Sequence, residues 1–353
     1  MSNLDGLTNQ VRDQRLRRGW SQDELARKSG LSRAGVSAIE TQRLVPSAAA
    51  ALALAAAFGC RVEDLFQLSR AGVQVPGWAW PPRHDSCRYW RAEVGGETRL
   101  YPVEVTPLGV LPHDGVCQRG EFQPEGGEDP SRTLVVACCD PAVGLLAAEL
   151  ARGSGLRLIV IPRSSRKALA LLGQGLVHAA GVHLARAEEP KGNATVVEQA
   201  IGDGYVLLRV AQWEEGITFS PGLHLPSVRE ALRSDLRWVG REDGSGARQC
   251  LDEILEGRPL LPSLASDHRG VAEAVRSGWA DAGVCLRLIS EEAGLDFLRV
   301  REEAYDLCLP ARWKNEPRLR ALVAAVRSPS YRRALANLPG YDSRQSGELL
   351  RVD

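Results

Sequence analysis

The sequence predicts a multidomain chain: an all-α unit of five short helices, a small β-rich connector, and a larger α/β region in which strands and helices alternate. Three observations carry this reading. A length of 353 residues exceeds what one hydrophobic core usually serves. Apolar residues at helical spacing, three of the stretches opened by a Ser, fill the N-terminal part, and buried-strand runs leading into helix starts recur from residue 133 onward. Between the two, Pro and Gly become frequent and the helical period is lost.

Composition narrows the function classes. With 44 basic and 44 acidic residues the chain has no global field, so any affinity for nucleic acid must come from a local patch. No apolar run reaches the roughly 18 residues that a membrane span needs, and the opening MSNLDGLTNQ has no signal-peptide core, so a cytoplasmic protein with no membrane partner is expected. The eight cysteines form no C-x-x-C pair. Neither a zinc site nor a disulfide framework is expected, and no cofactor; only the adjacent Cys138 and Cys139 stand out.

Taken in order, Leu7, Val11 and Leu16 predict a helix over 7–18 that stops at Gly19. Ser21 with Glu24 three residues on is a capping box for a second helix, which Gly30 ends. Ser32 caps a third with Val36 and Ile39 on its apolar side, a fourth runs from Ser47 to Phe58, and a short fifth from Val62 to Phe66. Two short helices joined by a Gly-containing turn place the second of them for entry into the major groove. Between residues 7 and 43 eight basic residues face four acidic ones, a local charge of +4.

The residues Gln22, Leu25, Ala26, Gly30, Leu31, Ser32, Val36, Ser37 and Glu40 resemble the signature of the Xre family of lambda-repressor-like helix-turn-helix domains. The resemblance implies a double-stranded DNA operator as partner. It puts Arg33, Ala34, Ser37 and Ala38 on the groove-facing side, with Arg33 as base reader. Gln22, Thr41 and Arg43 would hold phosphates. Glu40 is read as structural, paired with a neighbouring Arg.

The domain boundaries expected are 1–69 for the DNA reader, 70–130 for the connector and 131–353 for the large region. In the connector RYWRAEV, TRLYPVEVT and LGVLP are strand-like, Trp78, Trp80, Tyr89 and Trp90 are read as its core, and 121–132 reads as a flexible boundary. Beyond it TLVVACC leads to Asp140-Pro141 and a helix, LRLIVIP to Ser164-Ser165 and a helix, RWVGRED to Gly244-Ser245-Gly246 and a helix, and LLPSLAS to Asp267-His268 and a helix. Such repeats predict a parallel sheet with helices on both faces, whose ligand crevice lies at the carboxyl ends of the strands.

The segments HAAGVHL, GSGARQCLDEIL, AVRSGWADAGV and LDFLRVREEAYDL are similar to cytoplasmic relatives of periplasmic molybdate-binding proteins. That resemblance implies the two-lobed periplasmic-binding-protein-like fold, with lobe I from 131–210 and 301–353, lobe II from 211–300, and hinges near Trp213 and Arg301. It places a ligand between Ser164 and Ser165 on one side and Ser245, Gly246 and Arg248 on the other, with Tyr305 donating its phenol. Cys139 and His268 are added as crevice candidates. Asp140 and Asp267 would repel an anion unless they serve as caps. His178 and His183, five apart, cannot share a helix face as metal ligands, and one or both are read as satisfying backbone carbonyls.

These readings give a homodimeric, ligand-responsive transcription regulator and not an enzyme. The effector is a small molecule: molybdate or tungstate first, with an organic ligand or a redox signal through Cys138 and Cys139 as the alternative. An enzyme with Cys139 as nucleophile rests on residue types alone, since no nucleophile elbow, Walker loop or dinucleotide fingerprint is present.

Overall fold

A computed structural model describes residues 7–41, 43–68, 76–189, 191–257 and 264–352. The chain divides into two units, Met1–Pro76 and Gly77–Asp353. The expected boundary at 69/70 lies outside the described residues.

The first unit opens with β1 (Leu7–Asn9), not a helix, and continues through α1 (Val11–Arg17), α2 (Gln22–Ser29), α3 (Arg33–Glu40), α4 (Ala48–Phe58), α5 (Val62–Leu65) and β2 (Phe66–Leu68). The correction at Leu7 has a local cause. Asn9 accepts from the Val11 amide at 3.2 Å and donates to the Ile39 carbonyl at 2.8 Å, which stops α1 from extending back, while the backbone before it pairs antiparallel with β2. The capping box at Ser21 forms with both bonds, and Gly30 ends α2 at φ 70°, a left-handed value that glycine takes without penalty. Val11, Leu25, Val36, Ile39, Leu54, Phe58 and Leu65 make the core.

The second unit begins with a four-stranded antiparallel sheet of β3 (Ser86–Val94), β4 (Glu97–Pro102), β5 (Gly115–Gln118) and β6 (Glu121–Pro124), ordered β4-β3-β5-β6. The stretch expected as a flexible boundary therefore supplies an edge strand, whereas LGVLP at 108–112 supplies none. Trp90, Ala92, Val94 and Tyr101 pack into one core with Val135, Ile159 and Leu169 of the α/β region. Arg157 grips the fully buried Asp114 with two 2.7 Å bonds. The division expected at 130/131 is thus a boundary between sheets inside one packed unit.

The α/β region runs β7 (Thr133–Cys138), α6 (Val143–Ser154), β8 (Arg157–Pro162), α7 (Ser165–Gly173), β9 (Ala179–Val182), α8 (Gly192–Ile201), β10 (Tyr205–Phe219), α9 (Val228–Arg233), β11 (Trp238–Val239), α10 (Gly246–Leu255), α11 (His268–Arg276), β12 (Ala282–Leu286), α12 (Arg287–Glu292), β13 (Asp296–Pro310), α13 (Pro317–Arg327), α14 (Pro329–Ala336), β14 (Tyr341–Asp342) and β15 (Leu349–Arg351). Among the described residues one sheet joins these strands in the order β11-β12-β10-β13-β9-β7-β8, with β14 and β15 also on β10. β7, β8 and β9 are parallel, as are β11 and β12. The two 15-residue strands β10 and β13 lie antiparallel along nearly their whole length and cross from one lobe to the other, with Trp213 and Arg301 near the middle of the crossing. The strand expected at LLPSLAS before His268 falls partly outside the described residues; among those described, Ala265 makes a parallel bridge to Arg241.

Candidate functional site

In the first unit the DNA-facing candidates sit on α3 and around it. Arg33 and Ala34 are exposed, and Arg33 is only loosely paired with Asp23 at 3.6 Å, both side chains about two-thirds exposed. A surface pair of this kind is worth little, so the guanidinium is free to turn to another partner. Ser37 and Ala38 are half-buried. The Thr41 hydroxyl donates to the Ser37 carbonyl at 2.7 Å and accepts from Arg43 at 3.1 Å, and Gln22 donates to Glu40 at 2.9 Å. Glu40 also receives two bonds from Arg15, at 2.6 and 3.0 Å. Arg15 is thereby drawn into the interior with Glu40, so the exposed face keeps its net charge of +4 from the remaining basic and acidic side chains.

In the second unit the loops at the carboxyl ends of β7, β8, β9 and β11 converge with the N-terminus of α11. Cys139 follows β7, Ser164 and Ser165 follow β8, His183 follows β9, Arg241 and Ser245 follow β11, and His268 opens α11. All are buried. The centre is His183. Its Nε2 lies 3.0 Å from Cys139 Sγ and its Nδ1 lies 2.8 Å from Glu303 Oε2, which also accepts from Trp213 Nε1 at 3.2 Å.

Burial by itself disfavours a charged imidazole, but the Cys139 sulfur and the Glu303 carboxylate hold His183 well above its ordinary pKa. Burial likewise opposes the Cys139 thiolate, and the facing His183 more than offsets it, leaving the thiol below its usual value. Glu303 is held at about 2, because His183 and Arg301 outweigh the desolvation. Arg301 reaches Glu303, Glu215 at 3.1 Å, Glu253 at 3.0 Å and the Gly246 carbonyl at 3.1 Å. Burial and the nearby Glu303 charge push Glu215 well above the usual carboxylate range.

Several residues expected to line a ligand have protein partners in this structure. The Ser245 hydroxyl donates to the Glu242 carbonyl at 3.0 Å and accepts from the Arg248 amide at 3.2 Å, which makes it a helix cap with both functions filled. Arg248 is tied to Asp243 at 3.1 Å, to Asp252 at 2.8 Å and to the Arg241 carbonyl at 3.1 Å, so its guanidinium is held along α10. Gly246 gives its carbonyl to Arg301, and a Cβ there would lie 2.4 Å from the His183 carbonyl; it is a packing glycine between the lobes. Tyr305 is fully buried, stacked on Trp213 at 4.4 Å between ring centres, with its hydroxyl towards Gly181 and Cys138 beneath the crevice. Asp140 accepts from the Ala142 amide, just before α6, and from the Tyr341 hydroxyl, both at 2.9 Å, and Asp267 caps α11 by accepting from the Gly270 amide at 2.7 Å.

What remains in the crevice is rich in unmet polar atoms. Ser165 Oγ accepts from the His183 amide at 3.2 Å. Arg241, 1% exposed, gives one bond, from Nη2 to the Ser266 carbonyl at 3.1 Å, while its Nε and Nη1 have no hydrogen-bond partner. Both ring nitrogens of the buried His268 also lack one. Ser164 Oγ makes no well-formed hydrogen bond, although it lies close enough to Glu242 to favour that carboxylate. His183, Arg241, Glu215 and Glu303 were not singled out from the sequence as contributors to this site. His178, by contrast, satisfies backbone groups: it accepts from the Val135 amide and pairs with the Glu93 carbonyl, both at 3.0 Å.

The PBP superfamily domain matches residues 147–327 and a helix-turn-helix family matches residues 11–65. This chain belongs to the PBP superfamily. It joins that domain to an Xre-type helix-turn-helix domain at its N-terminal side. The uncharacterized protein YvgK of Bacillus subtilis is 30% identical over 187 residues, 50% of this chain and 60% of that relative. The chain therefore spans about 60% of YvgK's length. The uncharacterized HTH-type transcriptional regulator YgzD of the same organism is 40% identical over 62 residues, 18% of this chain and 94% of the relative. Among solved structures, PhnD1 from Prochlorococcus marinus in complex with methylphosphonate is similar over 61% of this chain and 94% of its own, at 14% identity and a TM-score of 0.43.

Proposed function

We propose that this PBP-superfamily regulator is a cytoplasmic, homodimeric transcription factor that binds a double-stranded operator through α3, and whose crevice takes a compact anion, molybdate or tungstate first. The observation that carries the anion is Arg241. A buried guanidinium with Nε and Nη1 unmet is costly, and a bound anion would supply a charged acceptor to one of these edges and balance the positive charge. Ser164 Oγ adds a further donor at the N-terminus of α7, where backbone N–H groups also favour negative charge. The partners of Asp140 and Asp267 support the same reading, because the first carboxyl group is held by the Ala142 amide and the Tyr341 hydroxyl and the second caps α11. A disulfide signal is less well supported. Both thiols are free, Cys139 meets His183, and Cys138 lies under Gly181 beside Tyr305.

The test is titration of intrinsic fluorescence with molybdate, tungstate and sulfate. Trp213 donates to Glu303, which holds His183, so occupancy of the crevice is expected to change its emission. Saturation with molybdate or tungstate, lost in Arg241→Met, is the expected result; silence towards all three, confirmed by calorimetry, would sink the oxyanion. Arg33→Ala is expected to weaken operator binding by about 1–3 kcal/mol while leaving that titration unchanged.

A further inference from the structure

The crevice holds a second constellation that the anion reading does not use. Cys139, His183 and His268 each direct a potential ligand atom into one place, with all of those atoms within 4.8 Å of one another. The three side chains come from different loops and are 9%, 0% and 1% exposed. We propose that this trio is a site for one thiophilic divalent cation, zinc by the chemistry of its ligands, bridging the two lobes.

A thiolate and two imidazoles are a known kind of zinc set that leaves the fourth tetrahedral position open. Zinc bound to sulfur at about 2.3 Å and nitrogen at about 2.0–2.1 Å spaces its ligand atoms by about 3.5 Å. The 3.0 Å between Cys139 Sγ and His183 Nε2 needs to open slightly, and the spread of the trio needs to close slightly. Behind His183, Glu303 accepts at 2.8 Å from the nitrogen turned away from Cys139, which is the carboxylate–histidine arrangement that fixes a metal-binding imidazole. His268 is the independent sign. A buried imidazole with neither nitrogen satisfied is uncommon, and a metal would take one of them.

A neighbouring trio of His183, Glu215 and Glu303 is less suitable, because Arg301 already occupies the cation's place between its carboxyl groups. On loading, the proton shared by Cys139 and His183 Nε2 leaves to solvent, and the ion takes its position. A divalent ion against one thiolate keeps a positive charge, with Arg241 adding to it. The open fourth position therefore suits an anion. Cys139 and His183 follow strands of lobe I and His268 opens α11 of lobe II, so the ion would hold the lobes together.

The inference rests on the reading of this crevice as a ligand site, and the metal is tested with no oxyanion present so that the two are separable. The full chain, chelator-treated and kept reduced, is titrated with cobalt(II). Saturation at one equivalent is expected, with a sulfur-to-cobalt charge-transfer band in the near ultraviolet, visible bands of four-coordinate cobalt, and displacement by zinc. Cys139→Ser is expected to remove the charge-transfer band. His268→Ala should lower affinity at least tenfold, and Glu303→Gln by about 10–100-fold. Circular dichroism and operator binding check that each variant is folded. No saturable binding at one equivalent, a charge-transfer band that survives Cys139→Ser, or unchanged affinity in folded His268→Ala overturns the site. Calorimetry with molybdate on metal-free protein separates the cases: heat there without cobalt binding removes only the metal, and silence in both removes the ligand crevice.

Discussion

His178 and His183 show how far surroundings, and not residue type, decide a role. His178 is lodged between the small sheet and β7, where burial and the nearby Arg318 outweigh Glu316 and its two backbone partners and hold its pKa at about 4. From its ordinary value near 6.5 down to about 4, the unfolded chain takes up a proton that the folded chain refuses. Stability is therefore lost as pH falls through that window, by about 3 kcal/mol at most from this group. Urea unfolding midpoints measured between about pH 7 and about pH 4.5 should drop in the parent chain and drop less in His178→Gln, whose amide is able to accept and donate in the same places. Parallel declines would show that His178 does not set the slope. His183 has Glu303 and Cys139 in place of backbone partners, and the same ring becomes the centre of the crevice. Spacing along the chain could not reveal this, because Glu303 stands 120 residues away and Cys139 stands 44 away.

At the scale of elements, the helical unit is fastened by polar contacts as well as by its core. Arg15 of α1 and Gln22 of α2 both bond Glu40 at the end of α3, so one carboxylate locks three helices together. The Glu40 side chain is 2% exposed, and removing Arg15 leaves its charge buried with the Gln22 amide and the charge of Arg12 to oppose it. Arg15→Ala is expected to destabilise this unit by about 3–5 kcal/mol, whereas the double change Arg15→Met with Glu40→Leu should recover much of that loss. Hydrogen exchange of the amides in α1 and α3 localises the effect; unchanged protection in Arg15→Ala would refute it. The pairing of Glu40 with a neighbouring Arg was legible, because the signature leaves an acidic residue on the inner side of α3. The helix starts were legible too, since Ser21, Ser32 and Ser47 all cap as their spacing suggests. The strand at Leu7–Asn9 was not, because its partner at Phe66–Leu68 lies at the far end of the unit and short-range periodicity carries no trace of it. The same limit hid Arg241. An Arg two residues beyond a two-residue strand has no pattern to mark it, and only the fold shows that two of its nitrogens have no hydrogen-bond partner.

At the scale of the molecule, a DNA-reading domain and a ligand-binding domain on one chain make sense as a regulator only if the two binding events are coupled. The parallel α/β plan was legible from the strand-to-helix repeats and its two lobes from the resemblance to periplasmic binding proteins, while the continuity of the sheet through β10 and β13 was not, because a 15-residue strand reads locally like two shorter ones. Those strands give the ligand something to act on. Trp213 and Glu215 on one, and Arg301 and Glu303 on the other, join the crossing to His183, so a change in the crevice is expected to be felt along both strands. Coupling of this kind must be reciprocal. If the anion changes operator affinity by some factor, saturating operator must change anion affinity by the same factor, with typical couplings of about 1–3 kcal/mol. We expect fluorescence titrations of the anion, with and without excess operator, to differ by the ratio seen when operator binding is measured with and without the anion. Arg241→Met should abolish both ratios together, and Arg33→Ala should leave anion affinity at its operator-free value even when DNA is added. Equal anion affinities with and without operator, in a protein that binds both, would mean that the crevice does not regulate the reader.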